Sequence, residues 1–116
     1  MVYKLATTAD LKHLPTMGKC LRDTITRHVN TLVKEYGADR NVEEDDGGFV
    51  LYASPGTSQE EIKQVFDFSN SIAEYIDFVD APEESFCVAL FLLNNEYSVT
   101  IITALADTPQ AIIKEM

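Results

Sequence analysis

The spacing of apolar residues changes along the chain, and each change marks an element. Residues 2–5 form a short apolar-favouring run that predicts a strand. Thr7 or Thr8 then offers a cap for a first helical turn, with Asp10 where a helix start favours negative charge. Pro15 interrupts it, lacking a backbone donor and biasing Leu14 away from helical angles. Thr16 can cap a second, longer helix: Met17, Leu21, Ile25, His28, Val29, Leu32 and Tyr36 share one stripe, and Gly37 stands at the expected stop. After a polar connection, residues 49–53 read as a buried strand, and Ser54-Pro55-Gly56-Thr57 as a turn.

Ser58-Gln59-Glu60-Glu61 matches a capping box. Ile62, Val65, Phe66, Ser69, Ile72, Ala73, Ile76 and Val79 continue a helical period, which predicts a helix from 59 to about 79. Ser69-Asn70-Ser71 is its weak point, and a break there would leave 72–79 as a strand. Residues 85–93 and 96–104 are apolar, β-favouring runs joined by Asn94-Asn95, which predicts a type I′ hairpin pairing Leu92 with Tyr97, Leu90 with Val99 and Val88 with Ile101. Thr108-Pro109 opens a short last helix over 110–114. The order β-α-β-α-β-β-α predicts a single α+β domain over residues 1–116: two long amphipathic helices packed on a small mixed sheet of three to four strands that includes the hairpin.

At 116 residues, 46% hydrophobic and 24% charged, the chain has the composition of one globular domain and not of a disordered one. Nineteen acidic against nine basic side chains give −10, which argues against nucleic-acid or anionic-membrane binding by bulk charge. The imbalance is local. Residues 1–42 carry seven basic and four acidic side chains, while 43–116 carry two basic, Lys63 and Lys114, and fifteen acidic. On the first long helix, Lys19, Asp23, Arg27 and Lys34 lie opposite the apolar stripe, so Lys19, Arg27 and Lys34 form a candidate basic face. On the second, Glu60, Asp67 and Glu74 do the same, with Asp77 on one flank.

No basic n-region opens the chain, and the longest apolar run, Phe86–Leu93, is far short of the ~20 residues that span a bilayer. A cytoplasmic location without membrane contact is expected. Cys20 and Cys87 lack CxxC spacing and are expected to stay reduced.

Each candidate for chemistry has a plainer explanation. Asp39, Asn41 and Glu43 alternate like the first ligands of an EF-hand, but Glu44 stands where that loop needs glycine and Val50 where it needs glutamate. Two histidines, His13 and His28, fifteen positions apart make zinc improbable. His28 has no patterned acid or nucleophile beside it. The 54–58 turn precedes a helix start, where free backbone donors can hold an anion, yet has neither GxxxxGK nor GxGxxG. Tyr3 to Leu11 resembles the opening strand and helix of GNAT-type acetyltransferases; the Gly-rich turn that binds acetyl-CoA in those enzymes has no counterpart here, and no residue is carried over.

No catalytic residue, cofactor or metal is therefore expected. Phe68 and Tyr75, seven apart on one flank of the second helix, and Phe78, further round toward Asp77 and Asp80, mark an aromatic patch in acidic surroundings. Asp67, Phe68, Glu74, Tyr75, Asp77 and Phe78 form the candidate interface. The function expected is a non-enzymatic module that binds another protein or a second copy of itself. The alternatives are an acidic inhibitor, immunity-type protein or nucleic-acid mimic that occupies a basic enzyme site, and a small-molecule enzyme with His28 near a pocket beside the sheet.

Overall fold

The computed structural model describes residues 1–37, 48–93 and 97–114, and within them five strands form one mixed sheet. These are β1 (Val2–Leu5), β2 (Gly48–Ala53), β3 (Ala73–Val79), β4 (Phe86–Leu93) and β5 (Tyr97–Ala104), in spatial order β1-β2-β5-β4-β3. All neighbours run antiparallel except β2 and β5, which pair in parallel from Gly48↔Ser98 to Ala53↔Thr103. A parallel strand at the sheet centre must be covered on both faces. The near-continuous apolar composition of β2 meets that need, and all six of its residues are buried.

Helix α1 (Lys19–Tyr36) covers one face. Its stripe of Leu21, Ile25, Val29 and Leu32 packs with Leu5, Val50, Tyr52, Phe86, Val88 and Ile102. The other face is closed by short pieces: α2 (Gln59–Val65), a 3-10 turn at Phe68–Asn70 and α3 (Gln110–Ile113). They place Ile62, Phe68 and Ile112 on Phe49, Leu51, Ala89, Phe91 and Ile101. Full burial of each such side chain contributes about 1.5–3 kcal/mol, so both cores support the same central strands.

The α+β class is as expected, and the details differ. The second long helix is absent. Helix α2 ends at Val65, ahead of the expected weak point at Ser69-Asn70-Ser71: Phe66 is already extended (φ −148°, ψ 117°), and the Asp67 carboxylate accepts the Ser69 N–H as cap of the 3-10 turn. The following Ile, Tyr, Phe and Val residues then pair with β4 as a fifth strand. The hairpin register is one residue off the expected one: Leu92 faces Ser98, Leu90 faces Thr100 and Val88 faces Ile102. The expected Asn94-Asn95 turn lies outside the described residues, as does the acidic stretch with Asp39, Asn41, Glu43 and Glu44.

Helix α1 starts later than Thr16 would start it. Its cap is Gly18, whose N–H donates to the Glu84 carboxylate at 3.2 Å, and a Cβ there would come within 2.7 Å of Glu83 Cβ. The first turn is a 3-10 helix over Thr8–His13, with the Asp10 carboxylate accepting the N–H groups of Ala6 and Thr7. The Ser58–Glu61 capping box forms as expected, with the Glu61 N–H donating to Ser58 Oγ at 3.2 Å. At the last helix Pro109, not Thr108, takes the cap position, and the Thr108 hydroxyl donates to the Ala104 carbonyl.

Candidate functional site: the open edge at strand β3

Strand β3 ends the sheet, so one row of its backbone N–H and C=O groups is unpaired by any strand among the described residues. Its side chains alternate between the two faces of the sheet except at a bulge, where the register steps from Ala73↔Phe91 to Tyr75↔Leu90 and leaves Glu74 extra. Ile76 and Phe78 then share the α2 face of the sheet, while Tyr75, Asp77 and Val79 share the α1 face. Both aromatics protrude, Tyr75 51% exposed and Phe78 41%, and Ile72 just before the strand is 71% exposed. Glu74, Asp77 and Asp80 are exposed beside them.

Four of the six candidate interface residues, Glu74, Tyr75, Asp77 and Phe78, thus come together on this edge. They do so as a strand and not as a helical flank. Phe68 is a correction: it is wholly buried beneath α2 and α3, because the 3-10 turn rotates it into the core. Asp67 is exposed but belongs to the turn, where hydrogen bonds from the Ser69 hydroxyl and N–H hold its carboxyl below its ordinary range. Since α2 ends at Val65, Glu60, Asp67 and Glu74 do not share a helix face. Lys19, Arg27 and Lys34 are all exposed on α1.

The remaining candidates resolve individually. His13 is exposed. In the 54–58 turn the Gly56 N–H donates to the Asp107 carboxylate at 2.9 Å, and the Ser54 and Thr57 hydroxyls hold the Met1 amine, so the turn serves its own chain. Lys63 and Lys114 line one cleft of about 230 Å³ with Gln59 and Gln110, and Glu60 lies 3.9 Å from the Lys63 ammonium. The Cys87 thiol is buried and pushed up to about 11, first by desolvation and then by the Asp77 carboxylate. Among the described residues, no three His, Cys, Asp or Glu side chains converge as a metal site, and no helix is long and apolar enough to cross a membrane.

A second concavity, about 290 Å³, lies between the C-terminal half of α1 and the β4–β5 pair. His28, Leu32, Glu35 and Tyr36 line it from the helix, and Leu90, Leu92, Ser98 and Thr100 from the sheet. His28 is half-buried and its pKa is lowered, chiefly by desolvation and secondly by Arg27. Sequence reasoning missed Ser98 and Thr100, because the expected register puts them on the opposite face from Leu90 and Leu92. Comparison with protein-family models, curated proteins and solved structures finds no match to this chain.

Proposed function

We propose that this protein is a non-enzymatic binding module that takes an extended, basic segment of another protein as an added strand along β3. The observation that supports this reading is the open seven-residue edge carrying an exposed aromatic on each face, Tyr75 and Phe78, among the carboxylates of Glu74, Asp77 and Asp80. Strand addition draws affinity from main-chain hydrogen bonds and selectivity from alternate side chains. Here the selectivity favours apolar residues beside Lys or Arg, since like charges opposite these acids would be repelled. An acidic domain that occupies a basic site on an enzyme is one form of the same activity.

Capture from the native host's lysate with tagged protein, after nuclease treatment, tests it. Wild type is expected to retain one stoichiometric partner that cross-links to β3 through a basic segment. Glu74→Lys with Asp77→Lys should abolish capture, and Tyr75→Ala with Phe78→Ala should weaken it by roughly 30-fold, the loss of about 2 kcal/mol usual for interface anchors. Capture unchanged in both variants would sink the proposal. Recovery of the protein alone, with a mass that rises with concentration, would transfer β3 to contacts between copies.

A further inference from the structure

Six threonines are buried among the described residues, and the fate of their hydroxyls separates one from the rest. Thr7 contacts the Asp10 carboxylate, Thr24 donates to the Cys20 carbonyl at 2.9 Å and Thr57 to the Ser54 carbonyl at 2.7 Å. Thr108 donates to the Ala104 carbonyl, and Thr103 reaches Thr108. Thr100 is only 6% exposed, and its hydroxyl makes no hydrogen bond among the described residues. Buried polar groups are almost always satisfied, so an exception points to a missing partner. Thr100 borders the cleft between α1 and the β4–β5 pair, and so does His28, whose imidazole likewise makes no hydrogen bond among the described residues.

The buried Thr100 hydroxyl and the half-buried His28 imidazole thus share one concavity, and its lining limits what fits. Leu32, Leu90 and Leu92 supply apolar wall. No lysine or arginine lines it among the described residues, and the Glu35 carboxylate is its one formal charge there. A volume of about 290 Å³ is at the small end of ligand pockets, which run from ~300 to ~1,000 Å³.

We propose that this cleft binds a small organic amine, its apolar body against the three leucines, its N–H groups donating to Thr100 and His28, and its charge facing Glu35. A neutral imidazole presents the acceptor nitrogen this needs. The site is separate from β3 and stands or falls independently of strand addition there.

Amide-resolved NMR titration of the full chain with benzylamine, benzyl alcohol and benzoate tests the proposal. Benzylamine should saturate with a Kd of about 1 mM, a value suited to a ligand of this size. Its shifts should be confined to residues 28–36, 90–92 and 98–100. Benzyl alcohol should shift the same amides more weakly, and benzoate should bind at least roughly ten-fold more weakly than the amine, its carboxylate repelled by Glu35. Glu35→Gln should erase the preference for the amine over the alcohol, which non-specific attraction to an acidic protein would leave intact.

Thr100→Val keeps the shape and removes the hydroxyl. It should weaken benzylamine binding about five-fold or more without lowering Tm, because no internal hydrogen bond is lost. His28→Phe should weaken binding similarly, and Glu74→Lys with Asp77→Lys should leave it unchanged. Benzoate binding as tightly as benzylamine, shifts scattered over the acidic surface, or a lower Tm in Thr100→Val would each overturn the proposal.

Discussion

Burial acts differently on His28 and Cys87, and the sign of each effect matters. For His28, desolvation and the Arg27 charge disfavour the imidazolium, so the folded pKa lies below the ordinary 6.5. In the window from that lowered value up to 6.5 the unfolded chain binds a proton that the folded chain does not. Stability therefore falls as pH drops through 6.5, until the folded imidazole also protonates. Urea midpoints of wild type and His28→Gln between pH 7.5 and 5 should diverge over this window, with the variant showing the shallower decline. Parallel curves would mean that His28 titrates alike in both states. For Cys87 the thiol stays protonated at neutral pH, which fits a packed side chain beside Ile101 and Ala89, not a nucleophile.

At the level of elements, the join between β2 and β5 rests on Gly48. Its φ is +115°, and a Cβ there would meet the Ser98 carbonyl oxygen at 1.9 Å. Gly37, at the end of α1, also has positive φ (+98°) but open space around it. Gly48→Ala should cost about 3 kcal/mol or more, by strain and by prying the central pair apart. Gly37→Ala should cost less, about 1–2 kcal/mol, from its glycine-favoured backbone (φ 98°, ψ 162°) alone. Chemical denaturation of both variants checks the difference, and equal losses would refute the close approach at Gly48. That approach was not legible in the sequence, which marks Gly48 only as the end of a polar stretch.

The stripe of α1, strand β2 and the Ser58 capping box were legible, as a sustained helical period, an unbroken apolar run and a local four-residue pattern. Strand β3 was not. Ala73, Ile76 and Val79 turn inward three residues apart, a spacing that imitates a helix. It arises because the bulge at Glu74 interrupts the two-residue alternation, and because an edge strand buries each face only partly. The antiparallel β4–β5 pairing was legible, and only its register was off. Counting Asn94-Asn95 as a two-residue loop shifts the pairing by one, and the pleat then assigns Ser98 and Thr100 to the wrong face. The candidate aromatics Tyr75 and Phe78 are exposed on the strand, whereas Phe68 is buried.

The whole molecule is dominated by its ten-charge excess of acid. The ion pairs at Met1–Glu61 (3.6 Å) and Lys63–Glu60 (3.9 Å) are solvent-exposed and contribute little. Self-repulsion among carboxylates should therefore outweigh attraction, and Tm should rise as NaCl goes from about 0.01 M to about 0.2 M, where the Debye length falls below ~10 Å. A Tm that falls with salt would show that attractive pairs dominate.

The parallel pairing of β2 with β5 also sets the order of events when the chain is made. Residues 48–53 find their central neighbour only in residues 98–103, so a nascent chain that has left the ribosome as far as β4 still lacks the strand that joins the β1–β2 pair to the β3–β4 pair. Until β5 emerges, β2 and β4 each present an apolar flank with no neighbour, and closure of the sheet waits on a long-range contact that is slow by nature. Completion of the sheet thus waits for β5, and until it emerges the unpaired flanks of β2 and β4 are open to misassembly.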